Sequence, residues 1–250
     1  MVIRDTLKDK AYFDESVEFR LEWIDDRRNG LKSKEKLPPY RKMLHAFRIV
    51  NNLLELMHAR YSRGDDIAAM REDLCLTLEY REWQKHYADA LSEDEQSKRV
   101  GREELREDYM EQFLKWFAFA YCVGMGDSYY RKMLDLTGNK GLDILFDSIA
   151  VKLGDTERPI GGKLLYPKRF KPLYQVIDAE PAQRPELMKA YLDAWYDLIG
   201  RPDYHLMDTD AYDGYWCWEA ALVVKLYDID DSSFSDHPYY PVDLVHYKES

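Results

Sequence analysis

Apolar residues recur at three- and four-residue spacing along most of this chain, as in helices that bury one face. Between residues 11 and 28, Phe13, Val17, Leu21 and Ile24 share one stripe, and Gly30 is the expected stop. Pro38-Pro39 then opens a helix with Met43, Phe47, Val50, Leu54, Met57 and Tyr61 on one side, broken at Gly64-Asp65. The spacing predicts a third helix from about 66 to 90, with Met70, Leu74, Leu78 and Arg81 near one face. Ser92 and Glu95 have the spacing of a capping box. A helix over 102–123 grows more apolar toward its C-terminus, so its burial should deepen in that direction.

Gly124 and Gly126 mark a plausible hinge. Beyond it, helices are predicted over 129–136, 142–153, 170–178 and 185–199, and a long one from Thr209 or Asp210 to about Tyr227. The segment GDTERPIGGKLLYPKRF is the largest irregular stretch, with room for a small hairpin around Ile160-Gly161-Gly162-Lys163. β-branched runs are sparse and strand alternation is almost absent. The expected fold is therefore all-α: a helical bundle that could form two stacked subdomains, 1–123 and 124–250, with at most a minor hairpin near 157–166.

Composition adds little to that outline and charge adds more. A chain of 250 residues with 46% hydrophobic and 14% aromatic content can fill a core, and global disorder is not expected. The 20 Tyr and 6 Trp fit interior packing or an aromatic binding face. Cys75, Cys122 and Cys217 are far apart, and three thiols cannot all pair, so reduced cysteines and a cytoplasmic location are expected. The first residues lack an apolar signal-like stretch, and the longest apolar run, 116–125, is too short to span a bilayer. The net charge is −11, and from Asp203 to Ser250 there are 11 Asp and Glu against 2 Lys, a net of −9. Such a field attracts a basic partner and repels nucleic acid and anionic membrane.

The same end of the chain carries the most specific pattern. Trp216 and Glu219 lie in an aromatic-rich helix, followed by the Ile229-Asp230-Asp231-Ser232 turn and Tyr240-Pro241-Val242-Asp243-Leu244. This run, Gly214 to Tyr247, resembles the C-terminal domain of the PoNe immunity proteins. The N-terminal half resembles, more weakly, the helical domain that precedes it, beginning near Arg4-Asp5 with Tyr12-Phe13 after it. The resemblance implies a non-enzymatic protein that neutralises a DNA-degrading toxin of the polymorphic, contact-delivered kind used in interbacterial competition. No cofactor or metal is implied.

Read without the family, the helix around Glu219 is apolar nearly all round, since only Glu219 and Lys225 are charged between Gly214 and Tyr227. A buried carboxylate there must be hydrogen-bonded or paired, either to anchor structure or to bind. Asp230 to Ser233 can satisfy backbone donors at a turn or form an acidic ridge for a partner's Lys and Arg. The toxin-binding candidates are Asp208, Asp210, Asp213, Asp228, Asp230, Asp231 and Asp236. Tyr239, Tyr240, Pro241 and Leu244 should pin the C-terminal segment to the domain, with Asp243 as a cap or cross-link.

Other chemistry finds little support. A calcium loop starting at Asp228 would place Ser233 where glycine is needed and Tyr239 where glutamate is needed. Glu55 and His58 make half of a di-iron motif with no second half, and His205, His237 and His246 have no zinc-like spacing. Nucleophile-elbow and phosphate-loop motifs are absent. Two further readings stay open: a scaffold binding another basic protein, and an enzyme using Glu219 and Asp231 on a small cationic substrate.

Overall fold

A computed structural model describes residues 2–32, 37–207, 209 and 211–248, and among these there is no strand. The expected all-α architecture holds. The chain packs as two compact units, Met1–Glu104 with Tyr204–Gly214, and Leu105–Asp203 with Tyr215–Ser250.

The first unit is organised around α2 (Pro39–Arg63), which buries 14 of its 25 residues, including the whole predicted stripe. Pro39 fits the first turn because no intrahelical donor is needed there, and it holds Pro38 extended. Gly64 closes the helix at φ +92°, and a Cβ there would meet the Val2 carbonyl at 2.1 Å. The segment before the first helix is thereby tied back, with the Arg4 and Asp5 amides donating to the Ser62 carbonyl.

Helix α1 (Lys10–Lys32) and helix α3 (Met70–Asp89) both pack on α2. Gly30 does not stop α1, which continues to Lys32, and Leu21 is 40% exposed rather than part of the buried stripe. A 3-10 turn at Ile67–Ala69, capped by Asp66 accepting from the Ala68 amide at 3.0 Å, leads into α3. At 92–95 a short 3-10 turn forms, in which Ser92 Oγ and Glu95 Oε2 meet at 3.3 Å.

The single helix expected over 102–123 is two. Helix α4 (Ser97–Glu103) ends before Glu104, and α5 (Glu107–Val123) begins after an extended Arg106. Between them, the Leu105 amide donates to Asn139 Oδ1 at 3.2 Å and its carbonyl accepts from the Tyr166 hydroxyl at 3.0 Å. Side chains distant in sequence take the groups that a continuous helix would have used. Helix α5 packs on α10 (Trp218–Leu226), so contacts place it in the second unit, whereas the expected 1–123 division placed it in the first.

The second unit continues with α6 (Asp127–Thr137), α7 (Ile144–Lys152), α8 (Pro167–Asp178), α9 (Arg184–Leu198) and, after α10, α11 (Val242–Val245). The hairpin expected near 157–166 is absent. Its backbone is held by buried carboxylates instead: Gly161 donates to Asp147 Oδ2 at 3.0 Å and Leu165 to Asp143 Oδ2 at 2.7 Å. Arg158 pairs with Asp147 at 2.5 Å, both side chains fully buried.

The long helix expected from Thr209 is also shorter, because residues 211–217 are not helical. In the first unit, the Asp213 carbonyl accepts from Ser62 Oγ at 2.5 Å and the Gly214 carbonyl meets His58 Nε2 at 3.2 Å. In the second, the Cys217 amide donates to the Tyr239 carbonyl at 2.8 Å.

Candidate functional site

Helix α10 buries eight of its nine residues, as its all-round apolar character requires. Glu219 sits in its first turn and is 3% exposed. One carboxylate oxygen, Oε1, accepts from the Tyr191 hydroxyl and from Trp195 Nε1, both on α9 and both at 2.9 Å. Burial, and then the charge of Glu219, push the Tyr191 hydroxyl well above its ordinary pKa, so it stays a donor. Burial of Arg169 works against its charge, but Glu111 and then Glu219 outweigh that and raise its pKa. Arg169 itself pairs with Glu111 at 2.9 Å. Glu219 is therefore the acceptor that ties α9 to α10.

Lys225, the other charge of this helix, donates to the Cys122 carbonyl at 2.9 Å and the Tyr247 carbonyl at 3.0 Å. It thus fastens α5 and the end of the chain to α10. The C-terminal segment packs against the rest of its unit. Tyr240 is 2% exposed and Leu244 fully buried, and Tyr239 stacks on Tyr196 with centroids 5.4 Å apart. Pro241 is buried, Trp216 half-buried with its ring 6.5 Å from that of Trp218, and Asp243 exposed in the first turn of α11.

The seven candidate carboxylates have different surroundings. Asp208 and Asp210 lie outside the described residues. Asp213, in the first unit, is mostly covered and holds Arg20 at 2.6 Å. In the second unit, Asp231 accepts from the Tyr240 hydroxyl at 2.8 Å and meets His246 Nε2 at 2.8 Å, which makes it a cross-link for the C-terminal segment. Asp228, Asp230 and Asp236 are exposed on the stretch after α10. Asp228 takes a left-handed φ of 51°. Asp230 accepts from the Ser232 amide at 3.0 Å, and that bond lowers its pKa. Asp230 thus serves the turn and is exposed as well, whereas Asp231 is taken up by Tyr240 and His246.

Sequence reading missed a cleft of about 530 Å³ in the second unit, whose lining includes Tyr121, Asp127, Tyr130, Arg131, Asp135 and Lys152. Its residues come from separate segments with no shared motif, so nothing local signals it. Among the described residues, no group of three or more His, Cys, Asp or Glu could hold a metal. His58 has its Nε2 against a carbonyl and its Nδ1 3.8 Å from Glu55. Glu219 bonds to α9, whereas Asp231 bonds to Tyr240 and His246 of the C-terminal segment. No described helix is long and apolar enough to cross a membrane.

Family comparison agrees with the C-terminal pattern and extends it. The N-terminal PoNe immunity protein model matches residues 4–147, and the C-terminal model matches 141–244. The chain belongs to the PoNe immunity protein family. The two family models meet at 141–147, at the entry to α7, not at the contact boundary beside Leu105. Among solved structures, the crystal structure of protein PA2201 from Pseudomonas aeruginosa is similar at a TM-score of 0.78 and 18% identity. The match covers 98% of this chain and 90% of that one, and at such low identity it speaks for the fold alone. No curated protein matches the chain.

Proposed function

We propose that this PoNe immunity protein neutralises a cognate DNase toxin by stoichiometric binding, through an acidic surface and without catalysis of its own. The observation that carries the reading is family membership over residues 4–244, which makes a toxin the expected partner. Charge supplies the mechanism. A DNase holds DNA through phosphate neutralisation and so presents a basic surface. The exposed carboxylates Asp228, Asp230 and Asp236 suit such a surface and can speed the encounter. The segment bearing them is braced by Asp231 and Tyr240, which limits the ordering cost of binding. Binding can block DNA access from beside the catalytic residues without covering them. Such protection would operate in the cytoplasm, where an incoming DNase meets the chromosome.

Finding a toxin gene adjacent to this one and co-expressing the two tests the reading. Cells carrying both genes should survive, and the two proteins should co-purify. Failure to rescue cells, or to form a complex, rejects the pairing.

A further inference from the structure

The first unit carries a face that the C-terminal carboxylates do not explain. Helix α1 has 23 residues, of which Phe13, Ser16, Val17 and Ile24 are buried. Its outer side instead presents Phe19, 53% exposed, with Trp23 one turn further on. At 3.6 residues per turn, Glu15, Glu18, Glu22, Asp25 and Asp26 fall within about 100° of arc beside that aromatic pair. All five are exposed.

The cations of α1 lie outside this arc. Arg20 is held by Asp213, and Lys10 by Asp14. Arg28 donates to the Tyr80 hydroxyl at 3.0 Å and reaches Asp25 only at 3.5 Å. Arg27 lies over the Trp23 ring, 4.7 Å from its centroid, and reaches Asp26 at 3.9 Å. Among the described residues, the ion pairs made by carboxylates of this helix involve Asp14, Asp25 and Asp26, and none involves Glu15, Glu18 or Glu22. A large apolar ring held half in water beside a row of unneutralised carboxylates is the arrangement of an anchor with a charged border.

We infer that the outer face of α1 is a docking surface for a basic protein, with Phe19 as the anchor and Glu15, Glu18 and Glu22 as its electrostatic border. On the reading above, on which this rests, that protein is the toxin domain. Charge selects the occupant: a second copy of the same face, nucleic acid and an anionic membrane are all repelled by it. A basic domain gains complementary charge along the arc and a recess contact at Phe19.

The test uses the full chain and a catalytically inactivated domain of the proposed cognate toxin, with binding followed kinetically at low and high salt. Phe19→Ala should weaken binding about tenfold, mainly through faster dissociation. Glu15→Lys with Glu22→Lys should slow association severalfold at low salt, with the difference shrinking at high salt. Because these side chains are exposed, helicity and melting temperature should be unchanged, which separates a lost contact from a lost fold. Wild-type binding, with both variants within about twofold of it, overturns this inference and leaves the toxin pairing standing. No binding by the wild-type chain overturns both.

Discussion

Replacing Glu219 with Ala strands two donors in the interior. Tyr191 and Trp195 both give their hydrogen bonds to the same oxygen, and both residues are buried, at 1% and 4% exposure. An unsatisfied buried donor costs about 1–3 kcal/mol, so the two together cost about 2–6 kcal/mol. Removing a buried carboxylate also removes its own desolvation penalty, and Arg169 keeps Glu111 as a partner. The net loss should be about 3 kcal/mol, a large share of the roughly 5–15 kcal/mol by which such domains are stable. Glu219→Gln retains an acceptor oxygen and should lose only about 1 kcal/mol. Urea unfolding followed by tryptophan fluorescence measures both losses. In a chain already carrying Tyr191→Phe, Glu219→Ala should cost less, because one donor fewer is stranded. An alanine variant within about 0.5 kcal/mol of wild type would refute the anchoring role, since that is ordinary for a surface site.

Three further outcomes follow from the packing. Truncation after His237 removes buried Tyr240 and Leu244, each worth about 1.5–3 kcal/mol, so the melting temperature should fall; an unchanged value would make the segment a free tail. Arg158→Ala leaves Asp147 charged and unpaired in the interior and should cost about 3–5 kcal/mol in a urea titration, whereas a neutral result would show that the pair is dispensable. At high pH the buried thiols and Tyr191 should limit stability. Burial pushes Cys122 up to about 12, and Cys217 and Tyr191 also lie well above their ordinary values. The unfolded chain loses these protons first, so stability present below the ordinary thiol pKa of 9.0 is lost as pH rises toward 12. A urea midpoint that stays flat across that range would contradict the burial, and Cys122→Ala should lessen the slope.

The parts of the fold legible in the sequence are those that local spacing decides. The α2 stripe from Met43 to Tyr61 is buried throughout because its period and its Pro and Gly ends are short-range signals. Glu219 stood out for a similar reason, as a charge on a helix with no polar face. The misses share a different cause. Leu105 breaks a helix because Asn139 and Tyr166 take its backbone groups, and the stretch before α10 unwinds where Ser62 and His58 meet its carbonyls. The loop at 157–166 satisfies donors with Asp143 and Asp147, where a ladder partner was expected. Among the acidic candidates, pattern alone could not separate Asp213 and Asp231, which are spent on Arg20, Tyr240 and His246, from exposed Asp228, Asp230 and Asp236. Nor did it pick out the outer face of α1, because Leu21 was counted with the buried stripe and Phe19 was left without a role.

The most direct test of the account is a nuclease titration. The purified domain of the proposed cognate DNase toxin is mixed with increasing amounts of the chain, and the initial rate of DNA degradation is followed. Stoichiometric masking predicts a linear fall in rate that ends at equimolar chain, with a weaker complex at high salt and no DNA degradation by the chain alone. Full activity at molar excess, or loss of activity at amounts far below equimolar, would contradict protection by binding.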